Sequence, residues 1–314
     1  MNPGFDRSPR RFLDIDRTAL AGVAVLAVAW IATLADSAPL EILAAALVPA
    51  GLWAALLVWL ARREGLPAAR IALAFLWGAV IAVPAASALD QGAPGMLSPW
   101  TSATDEWRVL LVGPIVEELA KAVVIPLLLV AHPRGAGASG LVAAGALYGA
   151  LSGLGFATSE NVSYFLMATL HGGWSGLAVA VWSRGVVAAC KHSVYAATTG
   201  LGIGWALSCG EQRARGIAAA ATAFVAAVLQ HSAWNGLVAP RMHDALCRSD
   251  GATIGCKPTS DAFDLLVLAP AWAVLALAPA IVGLVVLRRR AQGRLRSAYR
   301  DSATGPRQDD ASRV

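Results

Sequence analysis

VLLVGPIVEELAKAVVIPLLLV, residues 109–130, is long enough to cross a bilayer as one helix, yet it carries two adjacent carboxylates and a lysine. Ionisable groups inside such a run are costly to bury and read as functional. Glu117 and Lys121 are four residues apart and share a helix face, while Glu118 points about 100° away around the axis. One lysine cannot neutralise two glutamates, so a structural ion pair accounts for only part of the group.

The rest of the 314-residue chain is built in the same way. It is 57% hydrophobic and 14% charged with a mean hydropathy of +0.60, which excludes an ordinary soluble domain and predicts an all-α, polytopic membrane helix bundle. The net charge of +5 gathers at the ends of apolar runs and in the tail, so it sets topology and does not call for nucleic acid. Runs of spanning length start near Thr18, Leu40, Arg70, Val109, Gly140, Trp174, Gly216 and Phe263, which predicts about eight transmembrane helices. The first run lacks an A-x-A-like cleavage site and reads as a retained helix.

Arginines assign the gaps. Arg62, Arg63 and Arg70 put the second gap inside, Arg134 the fourth, Arg213 with Arg215 the sixth, and Arg288, Arg289, Arg290, Arg294 and Arg296 the tail. The other gaps alternate outside, among them the Asp90–Arg108 loop. Both termini are then cytoplasmic, in a bacterial-type cytoplasmic (inner) membrane. The expected division is a cytoplasmic arm at 1–17, a three-span region at 18–108, a four-helix catalytic core at 109–240, an outer loop at 241–262, a last helix at 263–287 and a basic, disordered tail at 288–314. The segment from Trp174 to Leu207 is too long for one upright helix, so its start is expected along the outer interface. Cys247 and Cys256 share the outer loop, where a disulfide is open to them, and Cys190 and Cys209 read as small apolar thiols.

Four spans carry polar groups that lipid would reject. The fourth has Glu117, Glu118 and Lys121; the fifth has Phe156, Glu160, Asn161 and Tyr164; the sixth has Arg184, Lys191 and His192; the seventh has His231 and Asn235. With the topology above, Glu117, Glu160 and His231 each lie roughly 13–15 Å from the outer end of their helices. His192 reaches that level if its helix begins near Arg184. Each residue alone also has a structural reading, as an interhelical ion pair or hydrogen bond. Their common depth favours a site.

These groups suit hydrolysis. Two neighbouring carboxylates, Glu117 and Glu118, can share a proton, take one from water and pass it to a leaving amine. His192 and His231, with Asn235 one turn on, can hold the water or donate to the oxyanion. Lys121 or Arg184 would balance the charge. Glu160, His192 and His231 form a workable zinc set, although there is no H-E-x-x-H; no metal is assigned, and zinc stays open.

Glu-Glu-x-x-Lys at 117–121, Phe-x-x-x-Glu-Asn-x-x-Tyr at 156–164, the helix with His192 and His-x-x-x-Asn at 231–235 resemble the PrsW family of intramembrane proteases, itself distantly similar to the CAAX prenyl endopeptidases. The resemblance runs from about Val109 to Leu237. It implies a protease that cuts membrane-anchored proteins near the outer face, including anti-sigma factors in some bacteria. It also implies roles for Glu117, Glu118, Glu160, His192, His231 and Asn235, with Lys121, Phe156, Tyr164 and Arg184 in support. Such proteases have been called both metal-dependent and glutamate-type. Glu160 stands where the CAAX enzymes have histidine, so a prenylated substrate is not carried over. The expected partners are membrane lipid and a single-span protein substrate, with no nucleic acid; oligomeric state stays open.

Two other classes compete. Gly173-Trp174-Ser175-Gly176 fits the G-x-S-G of a rhomboid-like serine protease, but Ser175 lies in an outer turn away from the carboxylate level. A proton-coupled transporter also buries Glu, His and Lys, but the chain has no inverted repeat and no pair of broken helices.

Overall fold

In a computed structural model, the protein is described at residues 17, 20–25, 27–29, 31–32, 38–97, 104–130 and 137–238. All regular structure among these residues is helical. Helix α1 spans Leu40–Arg63. Helix α2 joins Ala68–Leu76, a π-helical stretch at Trp77–Ala82, and Val83–Leu97. Helix α3 begins at Thr104–Trp107, passes through π-helical Arg108–Val112 into Gly113–Ala122, and ends with Val124–Val130. Gly173, at φ 59° and ψ −147°, separates α4 (137–172) from α5 (174–187), which closes on π-helical Val181–Val187. Helix α6 is Lys191–Ser208, and α7 is Arg213–Ala233 with π-helical Trp234–Val238 at its end.

Among the described residues, four helical stretches are long and apolar enough to cross a membrane: Leu40–Arg63, Ala68–Gln91, Gly137–Ser208 and Arg213–Leu237. The expected first span is represented only by helical residues between 20 and 32. The last span, the loop with Cys247 and Cys256, and the tail lie outside the described residues. The expected Asp90–Arg108 loop is shorter than its polar composition suggested. Helix α2 continues to Leu97 and α3 starts at Thr104, with Asp90 and Arg108 paired at 2.6 Å across the gap.

The long run after Trp174, too long for one upright helix, is divided at 188–190. Gly173 takes a positive φ that residues with a Cβ rarely adopt, and α5 turns back along α4. A Cβ on Gly176 would strike the Ala168 carbonyl, so only glycine allows this return. Leu177 and Ala180 are then buried with Phe165, Val162 and Ile42. The chain breaks again at 188–190 before α6 continues antiparallel to α4.

Small residues fix how close these helices come. On α4, Gly145, Gly149 and Gly153 recur every fourth residue and share one face. A Cβ at each would collide with the carbonyl of Gly200, Ala196 or His192 respectively. On the other side of α4, Gly155 abuts the Phe75 carbonyl, while Gly78 of α2 abuts that of Ser152. Without a hydrophobic drive between helices in lipid, such close backbone contact is what holds them together. Helix α4 is thus clamped between α2 and α6.

Prolines shape the other walls. Pro84 and Pro114 follow π-helical stretches, and neither has an N–H to close the wide turn onto the carbonyl five residues back. Both of those carbonyls are taken by side chains from other helices. Ser159 Oγ donates to Ala79 O at 2.6 Å, and Asn235 Nδ2 donates to Val109 O at 3.0 Å. The carbonyl five residues before Pro126 belongs to Lys121, and it accepts from Ser152 Oγ at 3.0 Å. The breaks in the helices are therefore also their points of attachment.

Candidate active site

The Glu-Glu-x-x-Lys turn of α3 sits between α4, α6 and α7. Glu118 and Lys121 lie on its buried face, with Lys121 Nζ donating to Glu118 Oε1 at 2.6 Å. The same ammonium stands 3.0 Å from His192 Nδ1 and 4.4 Å from the centre of the Phe156 ring. Trp77 Nε1 pins this turn from α2 by donating to Ala120 O at 2.9 Å. Glu117, one residue earlier, points toward a cavity and keeps 20% of its side chain exposed.

Each histidine is gripped from behind by a carboxylate. His231 Nδ1 lies 2.9 Å from Glu118 Oε1, and His192 Nε2 lies 3.0 Å from Glu160 Oε2. A carboxylate accepts, so these contacts place a proton on His231 Nδ1 and on His192 Nε2. The opposite nitrogens are left with lone pairs, and both face Glu117 Oε2, His231 Nε2 at 3.7 Å and His192 Nδ1 at 4.0 Å. Ring contacts hold this arrangement: Tyr195 stacks on His231 at 5.1 Å, and the two imidazoles meet edge to face at 5.1 Å. Glu117 Oε2 has no hydrogen-bond partner although it is buried.

Glu160 is anchored in turn. Arg184 pairs with it through NH2, donates from Nε to Asn161 Oδ1 at 3.0 Å, and lies over the Tyr164 ring at 3.5 Å. Helix α5 therefore contributes to the site even though α6 carries the histidine. A cavity of about 590 Å³ opens in front of Glu117. Its wall includes Asp90 and Ser87 of α2, Arg108 of α3, Glu160 and Tyr164 of α4, Arg184 of α5, Lys191 of α6, and His231, Trp234 and Asn235 of α7.

The expected residues thus meet, with two differences in detail. Glu160 was grouped with the histidines as a metal ligand, but it approaches His192 from the far side of the ring and is held by Arg184. The donor atoms that converge, all within 4.8 Å of one another, belong to Glu117, His192 and His231. Asn235 borders the cavity, but one amide hydrogen is committed to the Val109 carbonyl that Pro114 leaves open. Ser175 is exposed on α5 and is not part of the cavity wall.

Some contributors escaped the sequence reading. Lys191 is among the polar groups of the sixth span, but the sequence gives it no role, although the rule that singles out Lys121 applies to it equally. Tyr195, one turn after His192, had no signal beyond its spacing. Asp90 and Arg108 were assigned to a loop, so their pairing beside the cavity was hidden.

A family model for PrsW family intramembrane metalloproteases matches residues 66–275, a span that contains all the elements bordering the cavity. Comparison with curated proteins and with solved structures gives no match. A match over more than half of the chain, on the helices that carry these carboxylates and imidazoles, settles the relationship: this protein belongs to the PrsW family and is an intramembrane peptide hydrolase.

Proposed function

We propose that the protein hydrolyses a peptide bond of single-span, membrane-anchored proteins near the outer membrane face, with Glu117 as the base that activates water. The observation that carries this is the pair of distances from Glu117 Oε2 to His231 Nε2 and His192 Nδ1, 3.7 and 4.0 Å. They are too long for direct hydrogen bonds and suit a shared water. Glu117 takes a proton as the water oxygen bonds to the scissile carbonyl carbon. It returns that proton to the amine nitrogen as the C–N bond breaks. Glu118 keeps His231 in the tautomer that presents a lone pair to this point, and Glu160 keeps His192 with its lone-pair nitrogen on the same side, where it also accepts from Lys121 Nζ.

The same residues fit a zinc ion. Two imidazole nitrogens and a carboxylate oxygen are a recognised donor set, each imidazole donates its other N–H to a carboxylate, and Glu117 Oε2 is an orphaned buried atom. When bound there by Glu117, His192 and His231, zinc would supply an acidified water and polarise the carbonyl. His192 Nδ1 has one lone pair, now directed at Lys121 Nζ, so the ammonium and an ion compete for it.

The arginine pattern supports eight spans in a bacterial inner membrane with both ends in the cytoplasm. Anti-sigma-factor-like regulators are the substrate class that the family suggests. The test is co-expression with a tagged single-span reporter, followed as its cleaved fragment. Glu117→Gln and His231→Ala are expected to abolish the fragment while the protein remains at normal levels in the membrane. A fragment formed by Glu117→Gln at the native rate contradicts the assignment. Loss of cleavage by the purified native chain on addition of a strong chelator, with recovery on adding zinc, would select the metal-dependent version.

A further inference from the structure

Attack on a peptide carbonyl places negative charge on its oxygen, and the imidazoles expected to receive that charge have other partners, as does one amide hydrogen of Asn235. His231 gives its Nδ1 proton to Glu118 and turns a lone pair toward Glu117. His192 gives its Nε2 proton to Glu160, while its Nδ1 faces Lys121. Asn235 has one amide hydrogen on the Val109 carbonyl. The cations are committed as well, Lys121 to Glu118, Arg184 to Glu160 and Asn161, and Arg108 to Asp90.

Among the cations that border the cavity, Lys191 is the exception. It borders the cavity together with Glu117, Glu160 and His231. Its ammonium stands 5.5 Å from the centre of the Trp234 ring, and among the described residues no hydrogen bond or ion pair occupies it. As the first residue of α6 it is fixed on the same turn as His192. Charge points the same way. Glu117, Glu118 and Glu160 outnumber Lys121 and Arg184 by one negative charge, which Lys191 balances. Once Glu117 has taken a proton from water, the protein side carries one net positive charge opposite one oxyanion.

We propose that Lys191 is a catalytic residue, its ammonium donating a hydrogen bond to the scissile carbonyl oxygen and holding the negative charge of the tetrahedral intermediate. This rests on Glu117 as the base. Lys191 gives up no proton. When the carbonyl re-forms and the C–N bond breaks, the amine takes its proton from Glu117 and the ammonium is left as it began.

The experiment measures steady-state cleavage of a dye-labelled single-span reporter by the full-length protein in dodecyl maltoside. Lys191→Gln, Lys191→Met and Lys191→Arg are compared with native protein, and Glu117→Gln serves as the blank. Melting followed by tryptophan fluorescence establishes that each variant is folded; Lys191→Met keeps the apolar stem against Trp234 should Lys191→Gln not fold. The neutral variants are expected to lose about 10²–10³-fold in kcat with little change in KM, as for loss of one oxyanion donor. Lys191→Arg, which keeps the charge, recovers part of the rate. Native kcat in Lys191→Met, or a loss confined to KM, overturns the assignment to the lysine. Undiminished cleavage by Glu117→Gln overturns the base assignment and this proposal with it. A slow Glu117→Gln beside a fast Lys191→Met overturns the lysine alone.

Discussion

Glu118 and Glu160 do not face the point where water would be activated; each holds an imidazole by the nitrogen turned away from Glu117. They act by fixing tautomer and ring orientation, as outer carboxylates commonly do for histidines. Glu118→Gln and Glu160→Gln are each expected to lower kcat by about 10–100-fold. Glu117→Gln removes the base itself and should cost about 10²–10⁴-fold. Initial rates on one substrate check the ranking, and a Glu118→Gln enzyme slower than Glu117→Gln would contradict it. The sequence singled out side chains that come together around Glu117 because ionisable groups in apolar helices are conspicuous. It could not reveal their pairing. Which carboxylate serves which histidine depends on the rotation of four helices, and no local pattern encodes that.

The elements are set by residues with little chemistry of their own. Gly153 lets α6 approach so closely that a Cβ would strike the carbonyl of His192 itself. Gly153→Ala is expected to destabilise the protein by about 1–3 kcal/mol through overpacking. It should also reduce cleavage, because His192 moves with its backbone. A thermal melt and a rate measurement on the same sample test both parts, and native values in both would contradict the reading. Ser159→Ala frees the Ala79 carbonyl beside Pro84, and should cost about 0.6 kcal/mol, at most about 1.7, as interhelical hydrogen bonds in lipid do. The four long apolar stretches were legible from hydropathy. The π-helical turns before Pro84 and Pro114 were not, because each arises where a proline meets a donor from a helix distant in sequence. Nor was the return at Gly173, since the apolar run continues through it without a break in composition.

At the scale of the whole molecule, the bundle has two distinct ends. Ala61, Leu66, Ile125, Leu129 and Tyr148 form one core, with Leu141 and Ile203 packed on it; Ala38, Ile42, Phe165 and Leu177 form another. The arginine-bearing turns after α1 and after α6 therefore lie together, away from the Gly172–Gly173 turn. In the proposed orientation, which follows the positive-inside rule, that turn is outside. In a cysteine-free background, an impermeant maleimide added to spheroplasts is expected to label Gly172→Cys and leave Glu64→Cys unlabelled. The reverse pattern would invert the proposed orientation. Everything functional depends on α3 and α7 bringing Glu117 against His231, and the most direct measurement is crosslinking of Glu117→Cys with His231→Cys by a short homobifunctional thiol reagent. The account predicts rapid intramolecular crosslinking of this pair and none between Glu117→Cys and His171→Cys; no crosslink at 117–231, or equal crosslinking of both pairs, would contradict it.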